Sequence, residues 1–241
     1  MRHLARVVSD IPFSKKLWSQ RHYPKERYGK PLDYEKDKEE FFKRLKKYDI
    51  DNIIALDETN IQLGMSRKKA RCYVGKRCIK QTDNNDIFQR FSLLVAISPD
   101  KIQGWMLKKG AVRSEDLKPF VQTLLQNRTP KRLLIMDNAP SHKKGIDKEV
   151  ANMGHELLYI LPYTHYLNPI ENFFNQLKHY MRDKTPMNEE DVRKAIEYSA
   201  SKVSKTDLRN YFLNAYNPEK LDKKREPKRR EPKKKYKKTP I

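Results

Sequence analysis

Three acidic residues, Asp57, Asp137 and Glu171, carry the chemistry this chain is capable of. The run Leu133-Leu134-Ile135-Met136-Asp137-Asn138 puts a carboxylate after four consecutive apolar residues, the pattern of a fully buried strand that delivers an acid to the edge of a sheet. Ile53-Ile54-Ala55-Leu56-Asp57-Glu58 repeats the design. Glu171 lies 34 positions beyond Asp137, in Tyr166-Leu167-Asn168-Pro169-Ile170-Glu171-Asn172. There Asn168 is suited to cap a helix, Pro169 to its first turn, and Glu171 to the third helical position. Carboxylates are hard oxygen ligands. Two on strand ends and one on a helix suit a pair of Mg²⁺ ions that activate a hydroxyl nucleophile and stabilise the leaving oxygen of a phosphodiester.

Each acid also has a plainer reading. Aspartate is common after an apolar strand because loops begin there, and Glu171 stands where a capping-box glutamate would bond the Asn168 backbone amide. The coincidence of three acids on suitable elements in a suitable order favours the metal site. Glu58 would point to the opposite face of an extended strand and is the weaker ligand. Asn138 and Asn168 are candidates to steady a ligand or cap a helix rather than to be ligands themselves. His142 is close enough in sequence to Asp137 to meet a phosphate or an activated water, with a loop hydrogen bond as the equal alternative. Asn172, His165 and Lys178 are further pocket candidates. With seven glycines and no phosphate-cradling loop, a nucleotide triphosphate site is not expected.

The segments Asp57-Glu58-Thr59, Asp137-Asn138-Ala139-Pro140-Ser141-His142 and Leu167-Asn168-Pro169-Ile170-Glu171 resemble the D-D-E transposase core of the Tc-mariner superfamily, including its bacterial insertion-sequence branch. The resemblance runs from about residue 50 to about 185 and includes the 34-residue step. It implies an α/β, RNase H-like fold: a mixed five-stranded sheet with helices on both faces, the two aspartate strands adjacent and the glutamate helix packed across them. Asp57, Asp137 and Glu171 would be the catalytic residues and the ligands of two Mg²⁺ or Mn²⁺ ions. The activity implied is DNA strand cleavage and strand transfer at transposon ends, with double-stranded DNA (transposon ends and target) as partner and a homodimer as the working unit. In similar transposases, helix-turn-helix modules precede the core. The chain starts too late to hold them, so the expectation is a separate helix-turn-helix subunit, a truncated copy or a misassigned start. The competing class is a catalytically silent or domesticated nucleic-acid-binding protein derived from a transposase, and a host-type nuclease that cuts without joining is a further possibility.

The remaining sequence sets the frame. A net charge of +22 calls for a polyanionic partner, nucleic acid before membrane. No stretch has the length of a membrane span or the apolar core of a signal peptide. Location then follows the host, cytoplasm or nucleoid in a bacterium and nucleus in a eukaryote. Cys72 and Cys78 lack a second ligand pair and read as reduced thiols rather than a zinc site. Residues 1–49 form a basic, aromatic linker and an amphipathic helix over 34–48, residues 50–217 the catalytic domain, and 218–241 a disordered basic tail. Trp18 and Tyr23 in the linker serve equally to stack on nucleic acid or to dock on the core. Arg67, Lys68, Lys69 and Arg71, together with Lys178, are DNA-binding candidates, although such a run is usually an exposed loop. Further strands are expected over 72–79, 88–98, 103–107 and 155–161, and helices from Ser114, over 143–153, from Pro169, and over 188–203 and 205–215.

Overall fold

The structure is a computed structural model that describes residues 34–65, 73, 89–138, 145–161 and 164–217. The strand expected over 72–79, the linker and the basic tail lie outside the described residues, apart from Tyr73. The chain divides into compact units at Asp37/Lys38, and the fold below is that of the second unit.

Five strands form one sheet: β1 (Ile53–Gln62), β2 (Arg90–Ile97), β3 (Ile102–Lys109), β4 (Leu133–Met136) and β5 (Glu156–Tyr159). Their spatial order is β3-β2-β1-β4-β5. The first three make an antiparallel meander, while β4 and β5 join on the other side of β1 in parallel. Among the described residues there are six α-helices: α1 (Tyr34–Leu45), which belongs to this unit from Lys38 on, α2 (Ser114–Leu125), α3 (Ile146–Asn152), α4 (Ile170–Lys184), α5 (Glu189–Ser201) and α6 (Lys205–Ala215). Helices α2 and α3 carry the crossovers into β4 and β5 that parallel neighbours require. The mixed five-stranded sheet with helices on both faces agrees with the expectation from sequence.

Strand alternation decides which helices lie where, because successive side chains take opposite faces. Ile53, Ala55, Leu133 and Ile135 belong to one core with Phe173, Phe174, Leu177 and Met181 of α4, and with residues of α1, α5 and α6. Ile54, Leu56, Leu134 and Met136 belong to the other, under α2 and α3. Both β1 and β4 are therefore covered on both faces, which is why their sequences read as unbroken apolar runs.

Local signals fix the helix ends. Gly154 closes the turn after α3 at φ +78°; Asn188 caps α5 by accepting the Asp191 N–H at 2.8 Å; Ser204 and Asp207 form a capping box on α6. Beside the margin strand β5, Glu156 receives Arg44 Nε at 3.0 Å, Arg44 NH2 at 2.7 Å and the Tyr48 hydroxyl at 2.7 Å. This cluster fastens the end of α1 to β5.

One boundary departs from the reading of the sequence. Asp57 does not end its strand: β1 continues to Gln62 because β2 supplies partners from Ala55 through Gln62. Backbone pairing with a strand distant in sequence outweighs the polar character of Asp57–Asn60.

Candidate active site

The sheet brings the two aspartates to one level. In the parallel pairing of β1 with β4, Ile53 stands opposite Leu133, Ile54 opposite Leu134 and Ala55 opposite Ile135. The same register carried two residues further sets Asp57 beside Asp137, on neighbouring strands spaced about 4.8 Å apart. Both share the parity of Ala55 and Ile135, whose side chains lie in the core that contains α4. Glu58, opposite Leu94 on β2, has the parity of the other face, as expected.

Helix α4 reaches the same place through its first turn. Asn168 is 1% exposed, and its Nδ2 donates to Asp57 Oδ2 at 3.0 Å. Its Oδ1 accepts the Ile170 N–H at 3.4 Å, and its backbone oxygen accepts the Glu171 N–H at 3.2 Å. A single buried side chain thus spans from the first acid to the turn that carries the third. The other oxygen of Asp57, Oδ1, accepts the Glu58 N–H at 2.7 Å. The cap differs from the expected one: Pro169 occupies the N-cap position and Glu171 is the second helical residue. The Asn168 backbone amide is taken by the His165 carbonyl at 3.0 Å, so Glu171 does not close a capping box with it.

Two further ties align α4 with β1. Lys178 Nζ donates to the Thr59 hydroxyl at 2.5 Å, and Gly64 N–H donates to the Pro186 carbonyl at 2.8 Å. Contacts in the order Asp57–Asn168, Thr59–Lys178 and Gly64–Pro186 mean that helix and strand run the same way. Lys178 falls two helical turns beyond Glu171 on the flank turned to β1. Burial pushes the Lys178 ammonium below its ordinary pKa, the Glu171 carboxylate opposes that shift, and Arg182 adds to it. Thr59 was not singled out as a site residue from sequence, yet its position two residues after Asp57 puts it on the same strand face.

Asp137 follows β4 directly, and its neighbour strand runs on, Ile160 N–H donating to the Met136 carbonyl at 2.9 Å. Tyr159, opposite Met136, has its hydroxyl pushed well up in pKa by burial and by the nearby carboxylates of Asp147 and Asp137. Asn138 Oδ1 is buried and has no hydrogen-bond partner among the described residues. His142, Arg67, Lys68, Lys69 and Arg71 lie outside the described residues.

Among the described residues, no group of three or more His, Cys, Asp or Glu side chains is placed to hold a metal ion. Asn168 ties Asp57 to the turn that begins the Glu171 helix, and the Asp57 oxygens are turned to N–H donors of Asn168 and Glu58. In type, though not in their arrangement here, carboxylate oxygens are the donors that a hard divalent cation takes. Each Asp57 oxygen has one hydrogen bond of known partner, and ligating carboxylates are commonly held by such outer hydrogen bonds.

Comparison with solved structures supports the fold. A pre-cleavage Mos1 transpososome is 18% identical with a TM-score of 0.62, covering 74% of this chain and 56% of that one. The catalytic domain of Mos1 mariner transposase is 16% identical with a TM-score of 0.58, covering 74% of this chain and 83% of that one. A Mos1 mariner paired end complex with Mn is 18% identical with a TM-score of 0.62, covering 74% and 56%. The chain therefore spans a little over half the length of the transposase chains in the DNA-end complexes it matches, and its sheet and helices have the RNase H-like arrangement of that catalytic domain. No curated protein sequence matches it. The family described as DDE superfamily endonuclease matches residues 52–193, a span of more than half the chain that takes in Asp57, Asp137 and Glu171, and the chain belongs to that family.

Proposed function

We propose that this chain is the catalytic domain of a DNA transposase of the Tc-mariner type, which cuts a phosphodiester at a transposon end and joins the freed 3′-hydroxyl to target DNA. The observation that carries the reading is the buried Asn168 amide, hydrogen-bonded to Asp57 from the turn that begins the Glu171 helix. Family membership and the β1–β4 register support it independently.

Asp57, Asp137 and Glu171 would hold two Mg²⁺ or Mn²⁺ ions. When bound, such ions lower the pKa of an attacking hydroxyl and neutralise charge on the leaving oxygen. The protein's own part is positional. Two rigid strands carry the aspartates, Asn168 fixes the rotation of Asp57, and packing of α4 through Ile170, Phe173 and Leu177 holds Glu171 over the same sheet face. A net charge of +22 attracts DNA through its phosphates. The Mos1 structures include a strand transfer complex and a paired-end complex with left transposon end. By that likeness the working unit is a homodimer on two DNA ends, and it acts wherever the host keeps its DNA. Among the described residues no helix is long and apolar enough to cross a membrane.

The test is nicking of supercoiled DNA. Wild-type protein should cut with Mg²⁺ or Mn²⁺ and far less with Ca²⁺, and Asp137→Asn should abolish cutting while leaving DNA binding intact. Cutting that survives Asp137→Asn would overturn the proposal, and binding without any metal-dependent cutting would favour a silent, DNA-binding descendant.

A further inference from the structure

Helices α4 and α5 share the core on the sheet face that has the parity of Asp57. Tyr198 of α5 is 40% exposed there. Lys184, the last residue of α4, holds its Nζ 3.7 Å from the centre of that ring. Lys202, the residue after α5, holds its Nζ 5.3 Å from the same centre. The face of an aromatic ring attracts cations, which offsets the repulsion between two like charges brought together. Neither ammonium has a carboxylate partner among the described residues, whereas Arg193 and Lys194 of α5 are paired with Glu189 and Glu190. Two ammoniums gathered on an exposed ring without a counter-charge are suited to an anion from outside the chain.

We propose that Lys184 and Lys202, gathered by Tyr198, form a phosphate-contacting surface for duplex DNA at the far end of α4 from Glu171. This rests on the reading of the chain as one that acts on DNA. The two Nζ atoms lie within about 9 Å of each other. They can therefore take one phosphate or successive phosphates of a strand, which are about 3.4 Å apart along the duplex axis. Lys184 stands 13 residues beyond Glu171 on one helix, about 20 Å at 1.5 Å per residue. A duplex lying against the start of α4 covers that length in about six base pairs, which a mononucleotide cannot do. Contacts of this kind fix the register and orientation of DNA and carry no sequence information.

The test is binding of the full chain, without metal, to a fluorescent duplex of arbitrary sequence, followed by anisotropy over a range of salt, with thermal unfolding measured in parallel. Lys184→Gln combined with Lys202→Gln should reduce the slope of log affinity against log salt by about 2. Lys118→Gln combined with Lys148→Gln, the same loss of charge on α2 and α3 across the sheet, should leave the slope near wild type. Tyr198→Leu should weaken binding about two- to fivefold at fixed salt, and Tyr198→Phe, which keeps the ring, should match wild type. A slope that the first pair leaves unchanged, or that both pairs reduce alike, overturns the surface and leaves the DNA reading standing. Wild-type affinity in Tyr198→Leu overturns the gathering role of the ring. Equal weakening of poly-glutamate binding by the first pair overturns the assignment to DNA in favour of a general anion surface. A wild-type chain that does not bind the duplex overturns the DNA reading itself.

Discussion

Replacing Asn168 separates what the Asn168–Asp57 contact does for folding from what it does for charge. Asn168→Ala removes a hydrogen bond to a charged oxygen at 3.0 Å, a type that contributes about 1.5–3 kcal/mol. It also removes a longer contact to the Ile170 N–H at 3.4 Å, for which about 0.5 kcal/mol is ample. The expected destabilisation is about 2–3.5 kcal/mol, independent of pH between 5 and 8. Asn168→Asp keeps the shape but faces Asp57 with a second carboxylate. Like charges at that distance raise the pKa of the pair above the unfolded value of about 3.9. A folded-state pKa that is raised leaves stability intact below the unfolded pKa and removes it as pH rises through the folded one. Asn168→Asp should therefore match or exceed the stability of Asn168→Ala near pH 4, fall about 2–4 kcal/mol below wild type at pH 7.5, and regain stability on adding Mn²⁺. Urea unfolding followed by circular dichroism at the two pH values, with and without Mn²⁺, measures all of this. A penalty for Asn168→Asp that is the same at both pH values would refute the placement of the two side chains.

Other parts of the fold make equally direct predictions. Glu156 is held below its ordinary pKa: burial alone would raise it, but hydrogen bonds from Tyr48 and Arg44 and the charges of Arg44 and Lys131 outweigh that. Its contribution is present above about pH 4.5 and fades as acid protonates it. Glu156→Gln should thus cost about 1–2 kcal/mol at pH 7 and progressively less as pH falls below 4.5, read from urea midpoints. Phe173, 1% exposed between α4 and the sheet, should cost about 3–5 kcal/mol on truncation to alanine; a loss under about 1 kcal/mol would mean α4 is not packed as described.

The parts legible in the sequence were those written in contiguous residues. Leu133–Met136 has no polar interruption and became β4 as read. Phe173, Phe174, Leu177 and Met181 recur at helical spacing and became the buried face of α4. The extent of β1 was not legible, since Asp57–Gln62 looks like a strand exit until β2 is beside it. Of the two roles read for Asn168, steadying a ligand or capping a helix, the structure gives a contact with Asp57 and puts Pro169 at the N-cap instead. Asparagine before proline advertises a helix cap, and nothing nearby in sequence announces that its amide will be taken by a carboxylate 111 residues away. Thr59 and Lys178 illustrate the same limit at a separation of 119 residues. Periodicity names the face a side chain takes, but the partner waiting there is set by topology.

Strand β1 is the seam of the sheet, antiparallel to β2 on one side and parallel to β4 on the other. Asp57 sits on that seam, while Asp137 and Glu171 both come from the far side of it. The meander of β1, β2 and β3 is built from near neighbours in the chain, whereas the parallel half closes only after much longer excursions, and such contacts form slowly. A nascent chain that has completed the meander alone would hold only Asp57 of the three acids. Any site that draws on all three acids is in this way completed only when the last strands and α4 are home.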